Sequence, residues 1–568
     1  MIGGLRRMQS TGRKLLSWIN SPSEKHGIRF TADRRSWDFW SYQRLSDLSH
    51  RVAAGLVANG VSAGDVVSIV ERSSPHFVAT LFGTMLAGAT PSPIAPPMTF
   101  GDQETYAEHV AGLLTVSQPA LVVTDSDLAA PTSELTGRLG LRPPVPVTEL
   151  ADTPGSVPDR PLAPAALLQF TSGSSGRARG VRVPYRALES NVEAIRRWLR
   201  MTEEDVTASW LPVHHDMGLI GCLITPMVNR SEIWLMQPED FIRDPARFLR
   251  CFGEDGARLT AMPTFGLRYA TRRVRPKALA NCDFSEWRAV IVGAERISPE
   301  ALDGFTELLA PYGFRRRALL PAYGLAEATL AATGLPLAEE WRGLRVDPTS
   351  VELGGIVGED SSGRQLAGCG RPVDGVTVRI LGPDDTPLPE GHVGEIELCG
   401  DSVAEGYASV ESSDSLTCLS DGVLRTGDAG FLSDGQLFVL GRLGDALKIR
   451  GRSLFAEDLE VALNTTVNVP EERMAVVLGE RGGTPTAVAV MERAQPDWLT
   501  GAEPLLRQLT EGADVAVIDA PPGTIPRTSS GKPKRRSLWR SFLHGDLPEA
   551  APPQTASAAP ATTGGSDD

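Results

Sequence analysis

Short apolar runs alternate with amphipathic stretches along most of this chain. Residues 66–70 (VVSIV), 120–124 (ALVVT), 166–170 (ALLQF), 259–262 (LTAM) and 289–292 (AVIV) are nearly continuous in apolar residues. Such runs predict strands buried on both faces, as a parallel sheet covered by helices requires. Between them, 186–199 and 299–309 carry apolar residues at helical spacing and predict amphipathic helices. The large N-terminal part, residues 1–444, is therefore expected to be layered α/β. From about 382 to 440 the texture changes to short runs broken by Gly, Pro and Asp, as in LGPDD, GHVGEIELCG and LSDGQLFVLG. That pattern predicts a β-rich subdomain at about 370–444. A small α+β domain is expected over 445–543. Residues 544–568 are Ala, Pro, Thr and Ser without apolar periodicity, and are expected to be a disordered tail.

The longest charge-free stretch, about 74–101, contains Pro91, Pro93, Pro96 and Pro97. Its helix-like part, 76–89, is too short to span a bilayer. It reads as a buried helix followed by a loop, and no stable membrane insertion is expected.

Composition narrows the class. The 568 residues correspond to about four domain-sized units. Seventy acidic against 56 basic residues leave a net charge of −14, which argues against nucleic-acid binding and against attachment to anionic lipid by charge. The six cysteines form no CxxC pair and no cysteine–histidine cluster, which argues against the usual zinc, iron–sulfur and disulfide scaffolds. With no apolar segment after Arg6, Arg7, Arg13 and Lys14, a secretory signal is not expected, and the cytoplasm is the expected compartment.

The strongest chemical signal is 167–180, LLQFTSGSSGRARG. A strand runs into a loop of small hydroxyls and glycines, whose backbone N–H groups can turn toward an anion, with Arg179 as a further donor. No GK[ST] follows, so it is not a Walker A loop. Alone, it reads equally well as a flexible surface loop. In WLPVHHDMGLIG, His214, His215 and Asp216 invite a metal reading, but no other ligand is spaced to complete a site. The KPKRR run (Lys532, Lys534, Arg535 and Arg536) is either a solvated face or a patch for an acidic partner.

The loop is not alone, and its spacing resembles the phosphate loop of the adenylate-forming superfamily of acyl-CoA synthetases, luciferases and adenylation domains. Further segments match in that family's order. Gly293-Ala294-Glu295 follows a strand where the family holds adenine. Tyr323-Gly324-Leu325-Ala326-Glu327 resembles the motif whose Tyr stacks on adenine and whose Glu binds magnesium. Leu424-Arg425-Thr426-Gly427-Asp428 resembles the ribose-binding segment. Gly441-Arg442-Leu443-Gly444-Asp445 resembles the interdomain hinge, with Arg442 on the ribose and Asp445 as pivot. Pro526-Arg527-Thr528-Ser529-Ser530-Gly531-Lys532 resembles the loop of the adenylation lysine. The likeness covers about 20–543. WLPVHHDMGLIG, YGLAEATL and LRTGDAGFLSDGQL are most similar to the fatty acyl-AMP ligase branch.

This resemblance implies ATP and Mg²⁺, the metal held by Glu327 and Thr171, and phosphates cradled by Thr171, Ser172, Gly173 and Ser174. It implies Lys532 as the catalytic cation, His215 bordering the acyl channel, and a mobile small domain. The implied reaction joins a hydrophobic carboxylic acid to AMP and passes the acyl group to a carrier-protein thiol. The stretch 333–368 resembles the insertion that marks the branch. If it docks on the small domain, Leu335, Leu337, Trp341 and Leu344 are the expected contacts, and Lys534, Arg535 and Arg536 are expected to steer an acidic carrier. An acyl-CoA or aryl-CoA ligase, or an inactive nucleotide-binding scaffold, are the alternatives. The family's usual lysine after the phosphate loop is Arg179 here, and its usual lysine before the hinge aspartate is Gly444. A serine hydrolase is disfavoured because no GxSxG elbow is present.

Overall fold

The computed structural model describes residues 12, 14–33, 36–97, 103–171, 179–347, 351–361, 363–408, 416–449, 452–510, 512–528 and 531–548. The expected phosphate-loop residues Ser172, Gly173 and Ser174, and the expected disordered tail beyond 548, lie outside them. The chain divides into two compact units, Met1–Gly444 and Asp445–Asp568.

A nine-stranded sheet dominates the first unit, and its central strands are parallel. Leu319–Gly324, Ala289–Val292, Leu259–Met262, Thr207–Ser209, Ile233–Leu235 and Gly27–Thr31 follow one another across it. Apolar side chains on both faces explain why these strands sit inside: Val290, Val292, Leu319 and Leu320 are fully buried. Antiparallel strands close the edges, Trp37–Ser41 on one side and Ala331–Gly334 with Arg371–Pro372 on the other. A four-stranded parallel sheet (Thr90–Pro93, Val66–Val70, Leu121–Thr124, Val145–Pro146) forms a second layer system. The helix Pro75–Leu86 beside it begins with Ser74, whose hydroxyl accepts from Phe77 N at 3.2 Å, and with proline in the first turn. It is buried nearly all round, which explains its lack of charge.

Two smaller antiparallel sheets complete the unit. One joins Gly406–Tyr407, Arg179–Pro184 and Ala165–Thr171. The other joins Val376–Leu381, Gly394–Gly400, Cys418–Ser420, Val423–Ser433 and Gln436–Arg442.

Three expectations about the first unit need correction. The apolar run at 166–170 belongs to the antiparallel hairpin Ala165–Thr171 with Arg179–Pro184, not to a parallel sheet. The prolines after the buried helix do not mark a loop. Thr90–Pro93 is a strand, and proline is tolerated because this is the sheet edge, where no N–H partner is required on one side. The apolar residues of 333–368 do not form an exposed docking surface: Leu335 and Trp341 are buried in the core of the first unit, and Leu337 packs against that core. Trp198 Nε1 donates to the Leu335 carbonyl at 2.7 Å, and Arg316 stacks 4.1 Å over the Trp341 ring. The rest of the stretch contains a two-stranded ribbon, Gly343–Val346 with Arg364–Ala367.

The second unit holds Met474–Arg481, Thr484–Glu492 and Asp514–Ala520 in one sheet, and the ribbon Ala446–Ile449 with Arg452–Phe455. Helices Ala456–Val467, Pro496–Thr510 and Arg535–His544 belong to the same unit. Arg535 is not part of a basic surface patch. It is largely buried, with carboxylates of Glu457 at 2.9 Å, Glu460 at 2.7 Å and Asp445 at 3.8 Å. Within this basic run, Arg535 is an internal counterion.

Candidate functional site

Adjacent parallel strands deliver the central loops of the site. Ala289–Val292 pairs with Leu319–Gly324 (Val292 opposite Pro321), so Gly293-Ala294-Glu295 and the segment after Gly324 emerge side by side at the carboxyl ends. Ligands of open α/β sheets bind at such ends. Both loops hold a non-glycine residue at positive φ, Ala294 at 66° and Thr329 at 68°. Backbone of this kind persists only where surroundings over-determine it, and Thr329 is fixed by its hydroxyl donating to Ser402 O at 2.6 Å. Gly324 is required sterically: a Cβ there would lie 1.8 Å from the Leu330 carbonyl oxygen. Glu295 accepts the N–H of Phe265 at 2.6 Å, near the start of the helix Thr264–Arg273, and so ties this loop to the helix that follows the neighbouring strand Leu259–Met262.

Two side-chain clusters follow. In the first, the Tyr323 hydroxyl donates to Asp428 Oδ2 at 2.6 Å, and Arg442 Nε lies 3.0 Å from Asp428 Oδ1. The strands Val423–Ser433 and Gln436–Arg442 set Asp428 directly opposite Arg442. Burial, then the Asp428 carboxylate, pushes the Tyr323 phenol well above its usual range, so it stays a neutral donor. In the second, Arg179 Nη2 donates to Glu327 Oε1 at 3.2 Å and Tyr407 Oη donates to the same oxygen at 2.9 Å. Arg179 also lies 4.2 Å over the Tyr407 ring. All three are buried. Thr171 sits opposite Arg179 in the hairpin, and its Oγ1 is buried with no hydrogen-bond partner among the described residues. The clusters are joined: Arg179 Nη1 donates to Thr417 O at 3.4 Å, and Thr417 Oγ1 to Thr426 O at 3.0 Å, two residues before Asp428.

His215 and its neighbour connect to the same hairpin. Gln169 Nε2 donates to the His214 carbonyl at 2.8 Å, and the two imidazoles are 4.5 Å apart. Burial, with His215 and His109 nearby, holds His214 well below the usual imidazole range, so it is neutral. Asp216 accepts from Met217 N at 2.8 Å and starts a π-helical stretch, Met217–Ile224. Helices of this kind are rare and frequent at functional sites. No group of three His, Cys, Asp or Glu among the described residues could hold a metal.

Lys532 and Asp445 belong to the second unit. The Lys532 loop is a closed turn: Lys534 N donates to Pro526 O at 2.7 Å, Thr528 N to Lys532 O at 2.8 Å, and Arg527 Nη1 to Gly531 O at 3.0 Å. The lysine itself is exposed.

Thus the first unit assembles Thr171, Glu327, Tyr323, Asp428 and Arg442, with Gly293–Glu295 on the adjoining loop. The two residues that hold Glu327 carry no sequence signal for that role: Arg179 reads as a phosphate donor, and the partner of Tyr407 lies 80 positions away. A carboxylate oxygen and an orphan hydroxyl are hard oxygen donors and fit a Mg²⁺ ion. No helix among the described residues is long and apolar enough to cross a membrane.

Comparison with known proteins agrees with this arrangement. Residues 20–408 match the family described as AMP-binding enzyme. A protein of Caulobacter vibrioides carrying the provisional name acyl-CoA synthetase is 30% identical over 89% of this chain and 90% of its own length. The medium-chain-fatty-acid–[acyl-carrier-protein] ligase JamA of Moorena producens is 30% identical over 89% of this chain and 90% of its own. A solved structure from a study of fatty acyl-adenylate ligases of E. coli and L. pneumophila superposes with a TM-score of 0.86 at 28% identity, covering 94% of this chain and 98% of that one. The chain belongs to the AMP-binding enzyme family and is an ATP-dependent adenylating ligase.

Proposed function

We propose that this ligase activates a hydrophobic carboxylic acid as its acyl-adenylate and passes the acyl group to the phosphopantetheine thiol of a separate carrier protein. The observation that carries the nucleotide half is the joined pair of clusters, Tyr323–Asp428–Arg442 and Arg179–Glu327–Thr171, at the carboxyl ends of two parallel strands. Asp428 accepts ribose hydroxyls, with Arg442 orienting it. The Tyr323 ring, pinned at its hydroxyl, offers a flat face to adenine, beside Gly293, Ala294 and Glu295. Ser172, Gly173 and Ser174 cradle phosphates in this reading. Glu327 and Thr171 would hold Mg²⁺, which when bound offsets triphosphate charge. His215 borders the acyl channel, and the neutral His214 beside it suits an apolar tail.

The acid's carboxylate oxygen attacks the α-phosphorus, the α–β bridging P–O bond breaks, and pyrophosphate leaves. Charge builds up on the phosphoryl oxygens, and a cation aimed there stabilises the transition state more than the ground state. Lys532, on its closed turn in the second unit, supplies that cation, with Asp445 as the pivot that lets the 445–543 domain change place between half-reactions. In Lys532→Ala, acyl-AMP formation in a single turnover is expected to fall about a hundredfold while ATP still binds. An unchanged rate would remove Lys532 from the reaction.

The carrier as acceptor draws support from JamA, whose name specifies one. The burial of Leu335 and Trp341 removes those residues as a direct brake on CoA use. Product analysis with CoA and with a holo-carrier, offered separately, decides between the two thiols. Efficient acyl-CoA formation would replace the carrier reading and leave adenylation intact.

A further inference from the structure

Glu327 is held from one side only. Both of its hydrogen bonds, from Tyr407 Oη and Arg179 Nη2, end on Oε1, and Oε2 accepts none among the described residues. We propose that Tyr407 is a positioning residue for this carboxylate, acting with Arg179 to fix Oε1 so that Oε2 is presented to metal-bound ATP. The inference rests on the reading of Glu327 as the metal carboxylate and adds the residue that orients it.

The geometry closes on itself. Arg179 donates to Glu327 while its guanidinium plane lies 4.2 Å from the centre of the Tyr407 ring, so each of the three groups touches the other two. A planar guanidinium can stack and donate at once; a lysine ammonium at this position would keep the charge and lose the stack. The backbone holds Tyr407 from both sides. Tyr407 pairs with Val181 in the sheet, Ala408 N donates to Gly180 O at 2.7 Å, and Ala404 N donates to the carbonyl of Glu327 itself at 2.9 Å. The strand that carries Tyr407 is thus bonded to the elements of both partners. A free glutamate carboxylate rotates readily about its last torsion. Two donors on one oxygen stop that rotation and leave the other oxygen's lone pairs available; the Thr171 hydroxyl, opposite Arg179 in the hairpin, likewise has no partner among the described residues.

The test uses the full chain with Mn²⁺ and α,β-methylene-ATP, which cannot release pyrophosphate, and reads metal affinity by electron paramagnetic resonance without turnover. Tyr407→Phe keeps the ring under Arg179 and removes only the hydroxyl. Its Mn²⁺ affinity is expected to weaken about tenfold, as for loss of a hydrogen bond to a charged group. The Mg²⁺ concentration for half-maximal adenylation should rise by a similar factor, with a smaller change in the maximal rate. Arg179→Lys, as a second variant, should weaken affinity in the same direction. Glu327→Gln sets the reference and should weaken it most. Wild-type affinity in Tyr407→Phe alongside a weakened Glu327→Gln would overturn the positioning role and leave the metal carboxylate in place. Wild-type affinity in Glu327→Gln would overturn both.

Discussion

Two buried arginines, one in each unit, meet their acids in opposite proportions. Arg179 donates to the Glu327 carboxylate and shares its Oε1 with a neutral hydroxyl, so that among the described residues Oε2 accepts no hydrogen bond. Arg535 faces three, Glu457, Glu460 and Asp445, and donates to the Val476 carbonyl as well at 3.2 Å. Burial opposes its charge, but the three acids more than offset this and hold the guanidinium above its usual range. Burial likewise raises Glu460, with Arg535 pulling it back. The difference separates two uses of a buried ion pair. Where donors are saturated, the cation fastens elements together: here the first residue of the second unit, the helix Ala456–Val467 and the helix after the Lys532 loop. Where an acceptor is left over, as at Glu327 among the described residues, the pair leaves an oxygen for the ligand role proposed above.

The largest effect should come from breaking the saturated centre. Arg535→Met leaves three acids without their cation and is expected to cost the second unit about 3–5 kcal/mol, read by chemical denaturation of the full chain. Adding Glu457→Gln and Glu460→Gln should recover part of that loss, whereas a nucleotide should not. Wild-type stability in Arg535→Met would show that the three acids do not depend on it.

Arg179→Met sharpens the other side of the comparison. Stability should fall by about 2–3 kcal/mol because Glu327 stays buried without a counterion. Here Mg²⁺ with α,β-methylene-ATP should raise the melting temperature of the variant less than that of the wild type, since Arg179 no longer fixes the carboxylate that faces the ligand. An equal ligand shift in both proteins would place Glu327 with the structural acids.

The smallest step, per unit of pH, concerns a buried acid with no cation bonded to it among the described residues. Glu71 follows the strand Val66–Val70 and accepts the Thr80 hydroxyl at 2.7 Å, and its Oε2 has no partner among the described residues. Burial pushes its pKa up to about 8, against an opposing hydrogen bond from Thr80 and with Asp125 adding to the rise. Between about pH 4.5 and 8 the folded chain then keeps a proton that the unfolded chain has lost. Stability therefore falls as pH rises through that window, by up to about 1.4 kcal/mol per pH unit. Glu71→Gln should flatten this slope in denaturation curves at pH 5, 6, 7 and 8; an unchanged slope would assign it to other groups.

Contiguous features of this protein were legible in its sequence. Leu259–Met262, Ala289–Val292 and the helix Pro299–Leu309 lie where apolar periodicity puts them, because burial of a run depends on the run itself. Six short motifs pointed to the family, each a run of residues adjacent in the chain. Thr90–Pro93 escaped notice because proline signals a break unless the strand is known to lie at an edge, and edges are a property of the sheet.

Charge was the part the sequence could place but not interpret. Arg535 in KPKRR reads as a solvated cation, and Arg179 in a Ser/Gly loop reads as a phosphate donor. Nothing local distinguishes them from their neighbours, since their acids lie 75 and 148 positions away. Apolar burial is non-directional and scales with area, so composition and spacing along the chain determine it. A buried ion needs a specific partner within a few ångströms, and packing between distant elements decides which partner that is. The sequence alone thus determined the apolar strands of the central sheet and the family. Only the tertiary structure decided which arginine fastens the second unit and which one, with Tyr407, holds Glu327 with an oxygen to spare.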